Sequence, residues 1–198
     1  MELRIVHKEE IEDIVAIHCA AFRDFFLTEL GPDFLTTYYE AFRKSDRAIL
    51  VGCFENDRLL GFSAGVYVSA GFNTYLVRTN LLPFLLQGLK IMIVKPSSIF
   101  RLIKNFKKVD NTIIDKGLYA ELFSIAVLPN QQGLGIGKQL IEKFEADLKM
   151  NGCKEVSLTT DVDHNESTLL FYQSVGFHIL YPFTSYPHRK MYRLIKQL

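Results

Sequence analysis

Residues 121–138 read ELFSIAVLPNQQGLGIGK, an apolar strand that passes through a glycine-rich turn straight into a helix. That order of residue types builds a site for an anion. The first amides of a helix find no partner within it, and the helix dipole favours negative charge at that end. Gly133, Gly135 and Gly137 keep side chains out of the path of a bulky phosphate ester. A P-loop is excluded, because Gln132 stands at its first glycine and Gln139 at its hydroxyl. A dinucleotide fingerprint fails too, since Lys138 or Leu140 falls where the third glycine belongs. The same strand carries an acid. Strict alternation places Glu121, Phe123, Ile125 and Val127 on one face. A carboxylate in so apolar a strand is costly unless paired, and partial desolvation would raise its pKa toward that of a working base.

What remains at the turn is Gln132-x-x-Gly135-x-Gly137. Downstream, a strand over Val156–Val162 leads to Asn165-x-x-Thr168-x-x-x-Tyr172 and then Gly176-Phe177. In this order and spacing the two motifs resemble those of the GNAT (GCN5-related) N-acetyltransferase superfamily, with Thr168 where the family usually has Ala. The resemblance covers residues 119–180 strongly and the rest weakly. It implies acetyl-CoA as co-substrate, no metal, and direct attack of a primary amine in a ternary complex. The amine must attack as a neutral nucleophile, the tetrahedral intermediate needs a fixed donor for its oxyanion, and the departing thiolate takes a proton.

The resemblance also assigns residues. Backbone groups of Ile125, Ala126 and Val127 would meet the pantetheine arm and thioester. The turn from Gln132 through Gly133, Leu134, Gly135, Ile136, Gly137 and Lys138 would hold the pyrophosphate. Asn165 would bind the pantetheine chain, and Tyr172 would be the general acid. Glu121 stands where histone-type members carry their general base, with Asp161 and Asp163 as alternatives. Each has a plainer reading as well. Tyr172 could be a core aromatic beside Phe171, Asn165 a helix N-cap, Lys138 a solvated lysine, and Glu121 a strand-start acid paired with a lysine or facing solvent. His164 and His178 read as surface residues.

These groups need a frame. Leu3–Val6 reads as a strand, Glu9–Phe26 as a helix with one apolar face, and Pro32–Ser45 as a second helix opened by proline. Ala48–Glu55 and Leu59–Ser69 flank Asn56-Asp57, a two-residue hairpin turn. Strands at Leu118–Leu128, Lys154–Val162, Phe177–Phe183 and His188–Ile195 alternate with helices at Gly135–Met150 and Asn165–Val175. The expected fold is α/β: a central mixed, mostly antiparallel twisted sheet flanked by helices, with a helical insertion between the third and fourth strands.

At 198 residues and net charge +1 the chain reads as a single domain with no global bias toward an acidic or basic partner, and no nucleic acid is expected. An odd count of cysteines (Cys19, Cys53, Cys153) without metal-like spacing, the charged N-terminus and the lack of an apolar run long enough to span a bilayer point to the cytoplasm. The insertion, about 72–116, stands apart. Its residues 78–109 carry seven Lys/Arg and no acid, which leaves the rest of the chain at net −6. Pro83 and Pro96 mark the starts of two short helices there. A lid over the acceptor, a homodimer interface and peripheral membrane contact are its three readings. The acceptor itself reads as a small-molecule amine. A loose Leu30-Gly31-x-x-Phe34-Leu35-x-x-Tyr38-Tyr39 pattern resembles family members that acetylate amino sugars. A protein or peptide N-acetyltransferase and a non-catalytic acyl-CoA-binding module are the alternatives.

Overall fold

The computed structural model describes residues 1–198 apart from 24, 95–114 and 186–187. The described chain runs β1 (Glu2–Ile5), a 3-10 turn (Lys8–Glu10), α1 (Ile11–Ala21), α2 (Phe26–Glu29), α3 (Pro32–Lys44), β2 (Ala48–Glu55) and β3 (Arg58–Val66). It continues with α4 (Phe72–Thr79), α5 (Leu81–Val94), β4 (Ala120–Val127), a 3-10 turn (Pro129–Gln131), α6 (Ile136–Met150), β5 (Glu155–Asp161), α7 (Glu166–Ser174), β6 (His178–Ser185) and β7 (Arg189–Gln197). The strands form one sheet in the order β1-β2-β3-β4-β5-β7-β6. Among the described strands only β4 and β5 pair in parallel, so the sheet is mixed and mostly antiparallel, as expected.

Helices cover both faces, with a separate core on each. On one face α1 and α3 pack Ile14, Leu35, Tyr39 and Phe42 against Phe62 and Ala64 of β3, and Phe72 of α4 joins them. On the other, α6 sets Leu140, Ile141, Phe144 and Leu148 against Val51, Leu122 and Val156. That set is the apolar stripe of α6 read from its helical period. Gly65 lets α6 lie close: a Cβ built there would fall 2.2 Å from the Phe144 ring. Asn56 and Asp57 both take left-handed backbone, with φ 49° and 62°, the turn that keeps β2 and β3 in register.

The departures are local. The helix expected over Glu9–Phe26 stops at Phe22, and a separate turn, α2, follows. Thr28 Oγ1 closes that break by donating to the Phe22 carbonyl at 2.6 Å. β3 leaves the sheet at Val66, before Ser69, because the Ser69 and Ala70 amides donate instead to the carbonyls of Tyr119 and Gly117. In the insertion α5 begins just ahead of Pro83, while α4 has no counterpart among the helices expected from the sequence; the two meet at 94°. The helix expected from Pro96 lies outside the described residues. No single described helix is long and apolar enough to cross a membrane.

Candidate functional site

The site begins where two strands part. The parallel β4–β5 ladder holds only from Ala120↔Val156 to Leu122↔Leu158, although both strands run on. At the same point the β3–β4 register skips a residue. Gly65 faces Leu122 and Ala64 faces Ser124, which leaves Phe123 as the extra residue of a bulge. A bulge interrupts the ladder and re-aims side chains. Phe123 and Ala126 therefore pack toward α1 and α3, whereas Ile125 and Val127 pack toward α6. This corrects the alternation read from the sequence: Phe123 and Ile125 do not share a face, because the bulge shifts the parity between them.

Beyond the bulge, Ile125, Ala126 and Val127 pair with Ser63, Phe62 and Gly61 along one edge only. Their other edge faces the gap left by β5, a cavity of about 340 Å³ lined by Ser124, Ile125, Thr160, Asp161, Asn165 and Tyr172 among others. Backbone groups on such an edge remain open for a ligand.

The glycine turn adds the anion site. Gly133 and Gly135 have φ of 79° and 78°, a region that disfavours side chains, and Gly135 caps α6. Among the described residues, none accepts a hydrogen bond from the backbone amides of residues 133–138. Gln132, Leu134 and Lys138 are exposed and Ile136 is buried, so the turn is pinned by one side chain and open elsewhere. Gly137 keeps α6 close to α7, since a Cβ there would sit 3.3 Å from the Phe171 ring. Lys138 lies 3.8 Å from Glu142, and both are largely exposed, a contact of little energetic weight.

Tyr172 on α7 is buried against Phe171 and Phe177, with ring centroids 5.3 and 5.9 Å away. Its hydroxyl has no partner among the described residues, and burial pushes its pKa up to about 12. It is therefore a group that keeps its proton at neutral pH. Asn165 occupies the N-cap of α7 but does not cap it with its side chain. Instead Nδ2 reaches back to Thr160 Oγ1 at 2.6 Å and the Asp161 carbonyl at 3.0 Å, which ties α7 to the end of β5.

The three carboxylates considered as bases have different surroundings. Glu121 is buried at the paired end of β4, opposite Ser157. It accepts from Arg193 on β7 and from Ser69. Asp161 lines the cavity and is held by Arg189 through Nε and Nη2. Asp163 is exposed. Neither Glu121 nor Asp163 is among the described residues that line the gap between β4 and β5.

Some of the site had no signal in the sequence. Arg193 also approaches Asp115, which accepts hydrogen bonds from Tyr119, Tyr181 and the Gly117 amide. Burial opposes ionisation of Asp115, yet these hydrogen bonds and Arg193 outweigh it and lower the pKa. The network fastens the segment leaving the insertion to β4, β6 and β7. Its members stand far apart in sequence, so no local pattern announces it. His18, Tyr39 and Ser124 form a second buried group behind the cavity. His18 Nδ1 is 2.7 Å from the Tyr39 hydroxyl, whose pKa burial drives up and Ser124 partly restores. Among the described residues no group of three or more His, Cys, Asp or Glu is placed to hold a metal ion.

The profile of the Acetyltransferase (GNAT) family matches residues 11–177. A curated relative, the [ribosomal protein bS18]-alanine N-acetyltransferase of Haemophilus influenzae, is 37% identical over 67 residues, 34% of this chain. The match spans 42% of that relative's length. Among solved structures, the ribosomal-protein-S18-alanine N-acetyltransferase from Escherichia coli superposes over 99% of this chain and 92% of its own, with a TM-score of 0.62 at 15% identity. A ribosomal-protein-alanine N-acetyltransferase from Brucella melitensis covers 100% of both chains at 0.64 and 11%. The PaiA N-acetyltransferase from Thermoplasma acidophilum, in complex with coenzyme A, covers 100% of this chain and 98% of its own at 0.60 and 15%. At such identities the structural likeness is one of fold.

Proposed function

The chain belongs to the GNAT acetyltransferase family, and from that premise we propose that it moves the acetyl group of acetyl-CoA to a primary amine of a protein or peptide, by direct attack in a ternary complex. One observation carries the reading: the open edge of β4 at Ile125, Ala126 and Val127 runs directly into a turn whose amides, 133–138, have no described acceptor. A backbone edge followed by a ring of free N–H groups suits a long, hydrogen-bonding arm that ends in a pyrophosphate. Asn165, anchored to β5, would meet the arm from the opposite wall. The named substrate of the Haemophilus relative favours a protein amine over the amino sugar suggested by residues 30–39.

Acetyl-CoA supplies an activated thioester. The open backbone at the bulge offers N–H donors where the carbonyl oxygen gains charge. The Tyr172 hydroxyl, kept protonated by burial, gives its proton to the departing sulfur. For the incoming amine we assign proton removal to Asp161, acting through water, because among the three carboxylates it is the residue that lines the cavity. Glu121 is given a positioning role: with Ser69 it holds Arg193, and Arg193 holds the strand ends together. The test is acetyl-CoA binding by calorimetry, then thiol release with peptides bearing free N-termini. Binding with release supports the assignment. Absence of acetyl-CoA binding by the folded protein would overturn it.

A further inference from the structure

A second and larger cavity, about 550 Å³, opens between α2, α3, α4, α5 and the bulge of β4. It meets the first at Phe123 and Ser124, which line both. Its walls are unlike those of the first. Phe34 and Phe84 close one side with centroids 5.8 Å apart, and Leu76, Ile91 and Val77 supply others. Among the described lining residues none is Asp, Glu, Lys, Arg or His; the polar groups are Asn73, Ser124 and the Tyr38 hydroxyl. Two basic residues adjoin lining residues in sequence: Lys90 is turned to Asp33 on the exposed side of α3, and Arg78, next to Val77, is exposed. A charged or phosphorylated body placed here would lose its hydration with no charged partner among the described lining residues to replace it.

We propose that this cavity is the acceptor pocket, and that it takes an uncharged apolar body adjoining the amine, with the amine at Ser124 and the body between α3 and α5. The inference rests on the acetyl-transfer reading and narrows its substrate class. In a protein acceptor the body is an N-terminal segment whose first residues are apolar; in a small one it is an alkyl or aryl-alkyl chain. Strongly cationic amines and phosphorylated amines are disfavoured. The insertion thereby gains a role in specificity, since α4 and α5 form most of the wall that the rest of the fold leaves open.

Gly88 provides the test. It lines the cavity from α5, and a Cβ built there has no atom within 4 Å, so a large side chain enters empty space. Replacing glycine in a helix interior also favours the helix. Once acetyl-CoA binding is established by calorimetry, kcat/KM is measured across n-alkylamines from propyl to decyl. It is also measured across peptides that begin with Leu, Phe, Ser, Asp or Lys. The expected result is a rise of about fourfold per methylene until the cavity is full, carried by KM, and at least a tenfold preference for Leu and Phe over Asp and Lys. In Gly88→Phe the rise should stop at a shorter chain, with acetyl-CoA affinity unchanged. Whichever series rises more steeply identifies the source of the apolar body. Rates flat with chain length, or a preference for charged amines, would overturn the pocket assignment while leaving acetyl transfer intact. If acetyl-CoA does not bind, the transfer reading fails by itself. The pocket is then judged by direct calorimetric binding of the alkylamines, where a flat series rejects it.

Discussion

Acidification should destabilise this protein through one buried ring. His18 is 2% exposed and packs between Phe22 and Tyr39, with centroids 4.8 and 5.6 Å away. Its Nδ1 meets the Tyr39 hydroxyl, while Nε2 is buried with no described partner. Burial lowers its pKa from 6.5 to about 4. The native state thus leaves the ring neutral where the unfolded chain takes up a proton. Below pH 6.5 the unfolded state binds more protons, so stability falls as pH falls, and the loss levels off below the native pKa. The full gap corresponds to about 3 kcal/mol, of which about 2 kcal/mol is already lost at pH 5 and under about 1 kcal/mol at pH 6. For a domain near this size each kcal/mol moves Tm by about 2–4 °C. His18 alone should therefore lower Tm by about 4–8 °C at pH 5.

The assay is thermal unfolding at pH 8, 7, 6 and 5 for the native chain and for His18→Gln, whose amide can still meet Tyr39 but does not titrate. Asp115 and Glu10, whose pKa values are lowered by their partners against the cost of burial, titrate alike in both proteins and cancel in the difference. The native protein should lead the variant by the greatest margin at pH 8 and lose about 2 kcal/mol of that margin by pH 5. Parallel pH profiles would refute the reasoning, since they would mean that the ring accepts its proton in place.

Other consequences concern the site. Tyr172→Phe should lower kcat by roughly 10²-fold or more with little change in acetyl-CoA affinity; a near-native kcat would remove the hydroxyl from the reaction. Asp161→Asn should lower kcat at least about tenfold with little change in acetyl-CoA affinity, whereas Glu121→Gln should keep kcat and lose thermal stability. The reverse pattern would restore Glu121 as the base. Gly135→Asp places a side chain at φ 78° and a negative charge at the mouth of the turn. It should abolish acetyl-CoA binding in a folded protein, and unchanged affinity would remove the turn from the cofactor site.

What could be read in advance was local. The turn at 132–137, the stripe of α6 and the Asn165-to-Tyr172 spacing each lie within one element and its flank, so residue order specifies them. The same holds for Asn56-Asp57, where two residues decide the hairpin. α4 is not legible in the sequence although Phe72 and Leu76 are one helical turn apart and both buried, because eight residues carry too few repeats to set a period. The partners of Glu121 could not be read at all. Ser69 is 52 positions away and Arg193 is 72, and only the folded sheet joins them.

The bulge at Phe123 sets the surroundings of Glu121. ELFSIAV alternates well enough to read as an unbroken strand, and in an unbroken strand Glu121 would face the same way as Ile125, toward the gap. One extra residue removes that relation. It leaves Glu121 on the paired side of the break, where Arg193 and Ser69 satisfy it. It also sets Phe123 and Ser124 at the junction of the two cavities. A deletion that restored plain alternation would thus disturb more than one carboxylate. It would close the β4 edge proposed for acetyl-CoA and turn the junction away from the proposed acceptor pocket, so one backbone irregularity bears on both sites.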